Sequence, residues 1–206
     1  MSGALIVLEG GEGSGKSTQV ARLAARLERA GHEAVSTFEP GDSELGGSIR
    51  GLLLDDTDEP VAPMAEALLM AADRAQHIEV VVRPALERGA YVVSDRFVPS
   101  SLVYQGVARG LGVDAVEAIN TRATGGLEAA VVVVLDVSEA VAAARVPDAR
   151  DRMERAGRAF HVRVREAYRE LAGPRGWVVV DGSQDADAVE EAVWAAVAPF
   201  VDAGSA

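Results

Sequence analysis

Residues Gly10 to Ser17 read GGEGSGKS, and no other stretch limits what this chain can fold into as tightly as this GxxxxGK-Ser pattern. The run before it, Leu5 to Glu9, is short, apolar and bounded by glycine, as expected of a parallel strand buried on both faces. After it, Lys16 to Ala30 carries Val20, Leu23, Ala24 and Leu27 at helical spacing, and Gly31 ends the run as a C′ glycine. Strand, glycine loop and helix in that order make a phosphate cradle. The glycines let the backbone close around the anion, successive N–H groups point at it, and the helix adds the positive end of its dipole. Gly10, Gly11, Glu12, Gly13, Ser14, Gly15, Lys16, Ser17 and Thr18 are therefore the expected nucleotide-phosphate site, with Lys16 reaching the β- and γ-phosphates and Ser17 facing Mg²⁺. Lys16 is the single lysine among 20 basic residues. A compact ammonium suits this position, and the planar fork of arginine does not replace it.

The rest of the chain repeats the alternation. Ala34 to Phe38, Tyr91 to Ser94, Ala129 to Leu135 and Trp177 to Val180 read as further strands. Helices are expected at 49–54, 64–87, 101–109, 114–123, 138–146, 154–172 and 186–200. Five buried strands alternating with helices predict an α/β fold, a parallel sheet covered on both faces, with ligands beyond the strands' C-terminal ends. Glu9, Glu39, Asp95 and Asp136 fall at that edge. A length of 206 residues suits one domain, here 1–206, with a small appendage.

Composition removes several classes of function. A net charge of −12 repels nucleic-acid polymers and anionic membrane surfaces. Without cysteine there is no disulfide, thiol catalysis or thiolate metal site. The start Met1-Ser2-Gly3-Ala4 has no basic n-region and no run approaches the ~20 apolar residues of a membrane span, so a cytoplasmic location is expected. An Asn-Lys-x-Asp guanine-reading motif is ruled out, because the only lysine sits in the phosphate loop and the only asparagine is Asn120. An LSGGQ-like signature is also missing. ATP and a small phosphate acceptor remain.

The acceptor side begins at Asp95-Arg96-Phe97, which follows the strand Tyr91 to Ser94. Asp95 is placed to act with Ser17 on Mg²⁺, directly or through water, and the Arg96 guanidinium can clamp a phosphate and spread transition-state charge. Ser100, Ser101, Tyr104 and Gln105 then offer hydroxyls, a ring and an amide on one helical turn, groups suited to a base and sugar.

With GGEGSGKST and FEPGDSELGGSIRGLLL before it, DRFVPSSLVYQG resembles bacterial thymidylate kinase, and the similarity runs from about residue 4 to 183. The resemblance implies a P-loop fold with sheet order 2-3-1-4-5, a homodimer, and phosphoryl transfer from Mg-ATP to dTMP giving dTDP. It implies an Asp95-Arg96 catalytic pair and places Glu39, Pro40 and Ser100 in the acceptor pocket. Arg74, Ser101 and Gln105 match positions on the thymine edge. Tyr104 matches the ring beneath the deoxyribose, and Arg50 a position near the acceptor phosphate. Glu12 matches an acidic loop residue near the sugar and metal. Met70 stands where the family usually has the Phe that stacks on thymine, and Phe38 where it usually has Arg.

Residues 145–158, RVPDARDRMERAGR, are rich in arginine within an acidic protein, and beside a P-loop they read as a short lid that excludes water. Asp151-Arg152-Met153-Glu154 resembles the family's lid signature. Arg152 is the first choice for a catalytic lid arginine; Arg145, also expected on ATP, and Arg150 follow it. A kinase for another small acceptor, or a nucleotide-binding regulator without catalysis, are the other readings open to the sequence.

Overall fold

The computed structural model describes residues 3–55, 59–145, 155 and 157–202. Five strands, β1 (Leu5–Glu9), β2 (Ala34–Phe38), β3 (Tyr91–Asp95), β4 (Val131–Asp136) and β5 (Val178–Asp181), form one parallel sheet of order β2-β3-β1-β4-β5. The expected order is therefore the observed one. The helices are α1 (Lys16–Arg29), α2 (Glu44–Leu54), α3 (Pro63–His77), α4 (Arg83–Glu87), α5 (Val98–Ser101), α6 (Val113–Thr124), α7 (Glu139–Arg145), α8 (Arg158–Arg175) and α9 (Ala186–Asp202).

Side chains alternate across a strand, so β1 feeds two cores. Ile6 and Leu8 pack with Leu23 and Leu27 of α1 and Val193 and Val197 of α9. Leu5 and Val7 face the other way, onto Ile78, Val82 and Phe97. Each fully buried Leu, Ile or Val contributes about 2 kcal/mol through its area removed from water. A third cluster joins Val103 and Tyr104 to Val164, Ala167 and Tyr168 of α8.

Four expectations need correction. Burial is graded across the sheet: β1 is buried throughout and β3 and β4 nearly so, whereas the edges β2 and β5 expose part of their length, with Val178 and Val179 38% and 46% exposed. The run expected as one helix over 64–87 is α3 and α4 joined by a π-helical segment, Ile78–Val82. Pro84 has no N–H to donate and its ring crowds the preceding turn, and a widened turn accommodates both. The helix expected over 101–109 begins at Val98 and continues as a second π segment, Leu102–Ala108. The expected helix over 49–54 starts earlier, at Glu44, because Ser43 caps it by accepting from Gly46 N, which outweighs the glycine pair that hid its first turn.

Register fixes what meets at the functional edge. Leu8 lies beside Asp95, Glu9 beside Val134, and Phe38 beside Asp95, so the C-terminal ends of β1, β2, β3 and β4 open onto one line.

Candidate active site

The phosphate loop begins where β1 ends. Gly10 has φ 140°, and a Cβ there would stand 2.5 Å from Leu135 O. Gly13 has φ 68°, and its Cβ would be 2.8 Å from Ala142 O, so the loop is pressed between β4 and α7 in a path only glycine can take. Lys16 is buried and donates to Gly11 O at 2.9 Å. Burial, reinforced by the charge of Arg96, lowers its pKa from the ordinary lysine value. Ser17, the next residue in the chain, donates to Asp95 Oδ2 at 2.6 Å, which joins loop to β3. Thr18 is exposed beside it.

Arg96 stands at the centre. Its guanidinium donates to Gly10 O at 3.2 Å, Ser100 Oγ at 3.1 Å and Glu12 Oε1 at 2.5 Å, and it lies 5.2 Å from the centroid of the Tyr104 ring. Burial opposes the charge on Glu12, but Arg96 and Lys16 outweigh it and lower its pKa. Burial pushes the Tyr104 phenol up to about 12, so it carries its proton at neutral pH.

A cavity of about 480 Å³ holds these groups together with the expected acceptor residues Glu39, Pro40, Arg50, Met70, Arg74, Ser100, Ser101, Tyr104 and Gln105. Its size is that of a site for a nucleotide-sized ligand. Arg74 is buried and heavily engaged. It donates to Glu39 Oε2 at 2.8 Å, Ser101 Oγ at 3.0 Å, Phe97 O at 3.1 Å and Asn120 Oδ1. Arg50 donates to Pro40 O at 2.6 Å and lies 5.8 Å from the Phe38 ring, so Phe38 forms wall rather than charge.

The four strand-end acids divide in their tasks. Asp95 faces Ser17. Glu39 binds Arg74 and His77. Asp136 is held by Arg165 at 2.7 Å and Arg169 at 2.9 Å, an ion-pair cluster on the side of α8. Glu9 is fully buried, with its pKa raised by burial, and it accepts from Phe97 N, Ser100 N, Ser100 Oγ and Tyr168 OH. Glu9 thus holds the backbone that carries Arg96 and Ser100.

Arg145, at the end of α7, donates to Gly13 O at 3.3 Å and Gly182 O at 2.9 Å, bridging the phosphate loop and the loop after β5. Arg150 and Arg152 lie outside the described residues. Of the remaining lid arginines, Arg158 is paired with Glu139 at 2.6 Å beside a second cavity of about 590 Å³ between α7 and α8.

Several residues of the site escaped the sequence. Tyr168 reaches Glu9 and Ser100 from α8, and Phe160 meets the Tyr104 ring edge-on at 6.0 Å. Glu66 holds Gln105, and Asn120 holds Arg74. In the linear pattern Tyr168 and Phe160 are ordinary apolar helix positions. The rarity of Asn120, the only asparagine, is the one signal that could have singled it out.

A thymidylate kinase family model matches residues 8–193. The chain is 45% identical to the thymidylate kinase of Clavibacter michiganensis, covering 100% of this chain and 99% of that one. It is 44% identical to the thymidylate kinase of Deinococcus radiodurans over 95% of this chain and 96% of that one. For the thymidylate kinase of Desulforudis audaxviator the identity is 46%, over 96% and 91%.

Proposed function

This chain belongs to the thymidylate kinase family and phosphorylates dTMP with ATP, and from that premise we propose which of its residues carry the transfer. A dTMP phosphate oxygen, already ionised near neutral pH, attacks the γ-phosphorus in line, and no general base is needed. Catalysis is positioning and charge stabilisation. Lys16 balances charge on the β- and γ-phosphates, Arg96 spans the acceptor and transferring groups, and Glu12 orients Arg96. The observation that carries this reading is the continuous cluster Lys16, Glu12, Arg96, Asp95 and Ser17 along one wall of the acceptor cavity.

The Ser17–Asp95 pair fits Mg²⁺. Both offer hard oxygen, and no group of three or more His, Cys, Asp or Glu forms a metal cage among the described residues, which matches an ion that takes its other ligands from water and phosphate. Bound there, Mg²⁺ would neutralise charge on the β- and γ-phosphate oxygens. Arg74, Ser101, Gln105 and Met70 surround the base, Tyr104 the deoxyribose, and Arg50 the acceptor phosphate with Glu39 and Pro40 behind it. Arg145 contributes from the donor side, and the stretch 145–158 acts as a lid on one kinase domain. The same reading makes the protein a cytoplasmic homodimer. Exposed Leu45 and Leu52 on α2 and Met64 and Leu68 on α3 support the dimer. Among the described residues no helix is long and apolar enough to cross a membrane.

Coupled ADP release measured over a panel of nucleoside monophosphates, with Mg²⁺ and with EDTA, tests the proposal. The highest kcat/KM is expected for dTMP, with loss of turnover in EDTA. Lys16→Ala should lower kcat by about 10³-fold or more with an unchanged circular dichroism spectrum. A Lys16→Ala enzyme with the kcat of the parent would overturn the role given to Lys16. Preference for another acceptor would displace the substrate reading, and ADP release from no acceptor would favour a regulator.

A further inference from the structure

The amide of Gln105 is nearly symmetric in shape and opposite in chemistry at its two ends, so packing alone does not decide which end faces the cavity. Glu66 decides it. This residue lies in the first turn of α3, is 0% exposed, and is held by Arg109 Nε and Nη2, each at 3.2 Å. Gln105 Nε2 donates to its Oε1 at 2.8 Å. A carboxylate gripped by a guanidinium fork offers acceptors only, so it takes the amide NH₂ and leaves Gln105 Oε1 for the ligand.

Arg74 supplies the complementary half. A guanidinium has five N–H groups. Four are committed, to Glu39, Ser101, Asn120 and Phe97 O, and the one left over is on Nη2. Between them Arg74 and Gln105 therefore present one donor and one acceptor, the complement of a carbonyl oxygen next to a ring N–H. Thymine has that edge. Cytosine has the reverse, an exocyclic amino group next to an unprotonated ring nitrogen.

We propose that Glu66 is a positioning residue for base selectivity: by fixing the Gln105 amide it makes the pocket read a pyrimidine 4-carbonyl and N3–H and reject a 4-amino pyrimidine. The inference rests on the reading that Gln105 contacts the base. Glu66 itself touches neither base nor phosphate. Arg109 takes part as its counter-ion and stacks on Phe160 at 4.6 Å, so the orientation of one amide is set by three elements, α3, the second π segment and α8.

Steady-state kinetics on dTMP and dCMP with Glu66→Gln, Gln105→Ala and the double variant test the proposal. A glutamine at 66 satisfies Gln105 in either orientation. Glu66→Gln should raise KM for dTMP about tenfold, the value of one hydrogen bond, with kcat changed less than about threefold. The ratio of kcat/KM for dTMP over dCMP should fall by a similar factor. In the Gln105→Ala background the same substitution should have no further effect on KM, because a residue acting through Gln105 loses its influence with it. Glu66→Gln strands the Arg109 charge, so Glu66→Gln/Arg109→Met, which removes both charges, should give the same KM shift if folding of the single variant suffers. If Gln105→Ala raises KM for dTMP while Glu66→Gln does not, or if the two effects multiply in full, the role of Glu66 is overturned and the base contact stands. If Gln105→Ala leaves KM unchanged, the base contact falls and this inference falls with it.

Discussion

Arg96 has φ 77°, a conformation that costs a non-glycine residue about 1–2 kcal/mol. Its own N–H donates to Leu8 O and the next N–H, of Phe97, donates to Glu9 Oε1, so the turn is held from both sides while the guanidinium points into the cavity. Replacing Arg96 by Ala or Gly should lower kcat by about 10²-fold or more in both cases. Gly should nevertheless be the more stable of the two by about 1 kcal/mol, because only glycine takes that φ freely. Urea denaturation of the two variants checks this, and equal stabilities would mean the turn is unstrained. Asp73 gives a pH prediction. Burial first, and the charge of Glu39 second, raise its carboxyl from 3.8 to about 6. Between about pH 4 and 6 the folded protein holds a proton that the unfolded chain has lost, so stability falls as pH rises through that window. Asp73→Asn keeps an acceptor for Gly41 N and removes the charge. It should gain on the parent steadily from pH 4 to 6, and parallel denaturation curves across that range would refute the assignment. At this scale the sequence marked Lys16, Ser17, Asp95 and Arg96 through their spacing from strand ends, but it had no way to mark Asp73, whose pKa depends on Glu39, distant in sequence.

Helix α8 is the element whose role the sequence hid most completely. Read along the chain it is the amphipathic run after a lid, whereas in the fold it carries Tyr168 into the centre of the site, 2.7 Å from Glu9 Oε2. Tyr168→Phe should destabilise the protein by about 1–3 kcal/mol, since it leaves a buried carboxylate one donor short. Equal unfolding free energies for the variant and the parent would show that Glu9 does not need that donor. The second π segment sits between β3 and α6 and places Tyr104 and Gln105 against α8 and α3. A period of 3.6 residues and a widened turn look alike over seven residues, so the helix was legible and its type was not.

For the whole molecule, the −12 charge and the exposed apolar residues of α2 and α3 pull in opposite directions. Net charge keeps copies apart in general, while exposed apolar side chains on neighbouring helices favour contact at one place. Leu52→Asp/Leu68→Asp should convert a dimer to a monomer in sedimentation velocity at micromolar concentration. A parent protein that sediments as a monomer there would remove the dimer from the proposal. What the sequence determined by itself is whatever depends on short spacing: the phosphate loop, the alternation of strands and helices, and, through the family resemblance those motifs carry, the sheet order and the acceptor. The tertiary structure alone decided the partners. That Asp136 would belong to α8, that Glu9 would support Arg96, and that Glu66 would orient Gln105 depend on contacts between residues 29 to 91 positions apart. A one-dimensional pattern holds local periodicity, but it does not hold the distances that burial and hydrogen bonding require.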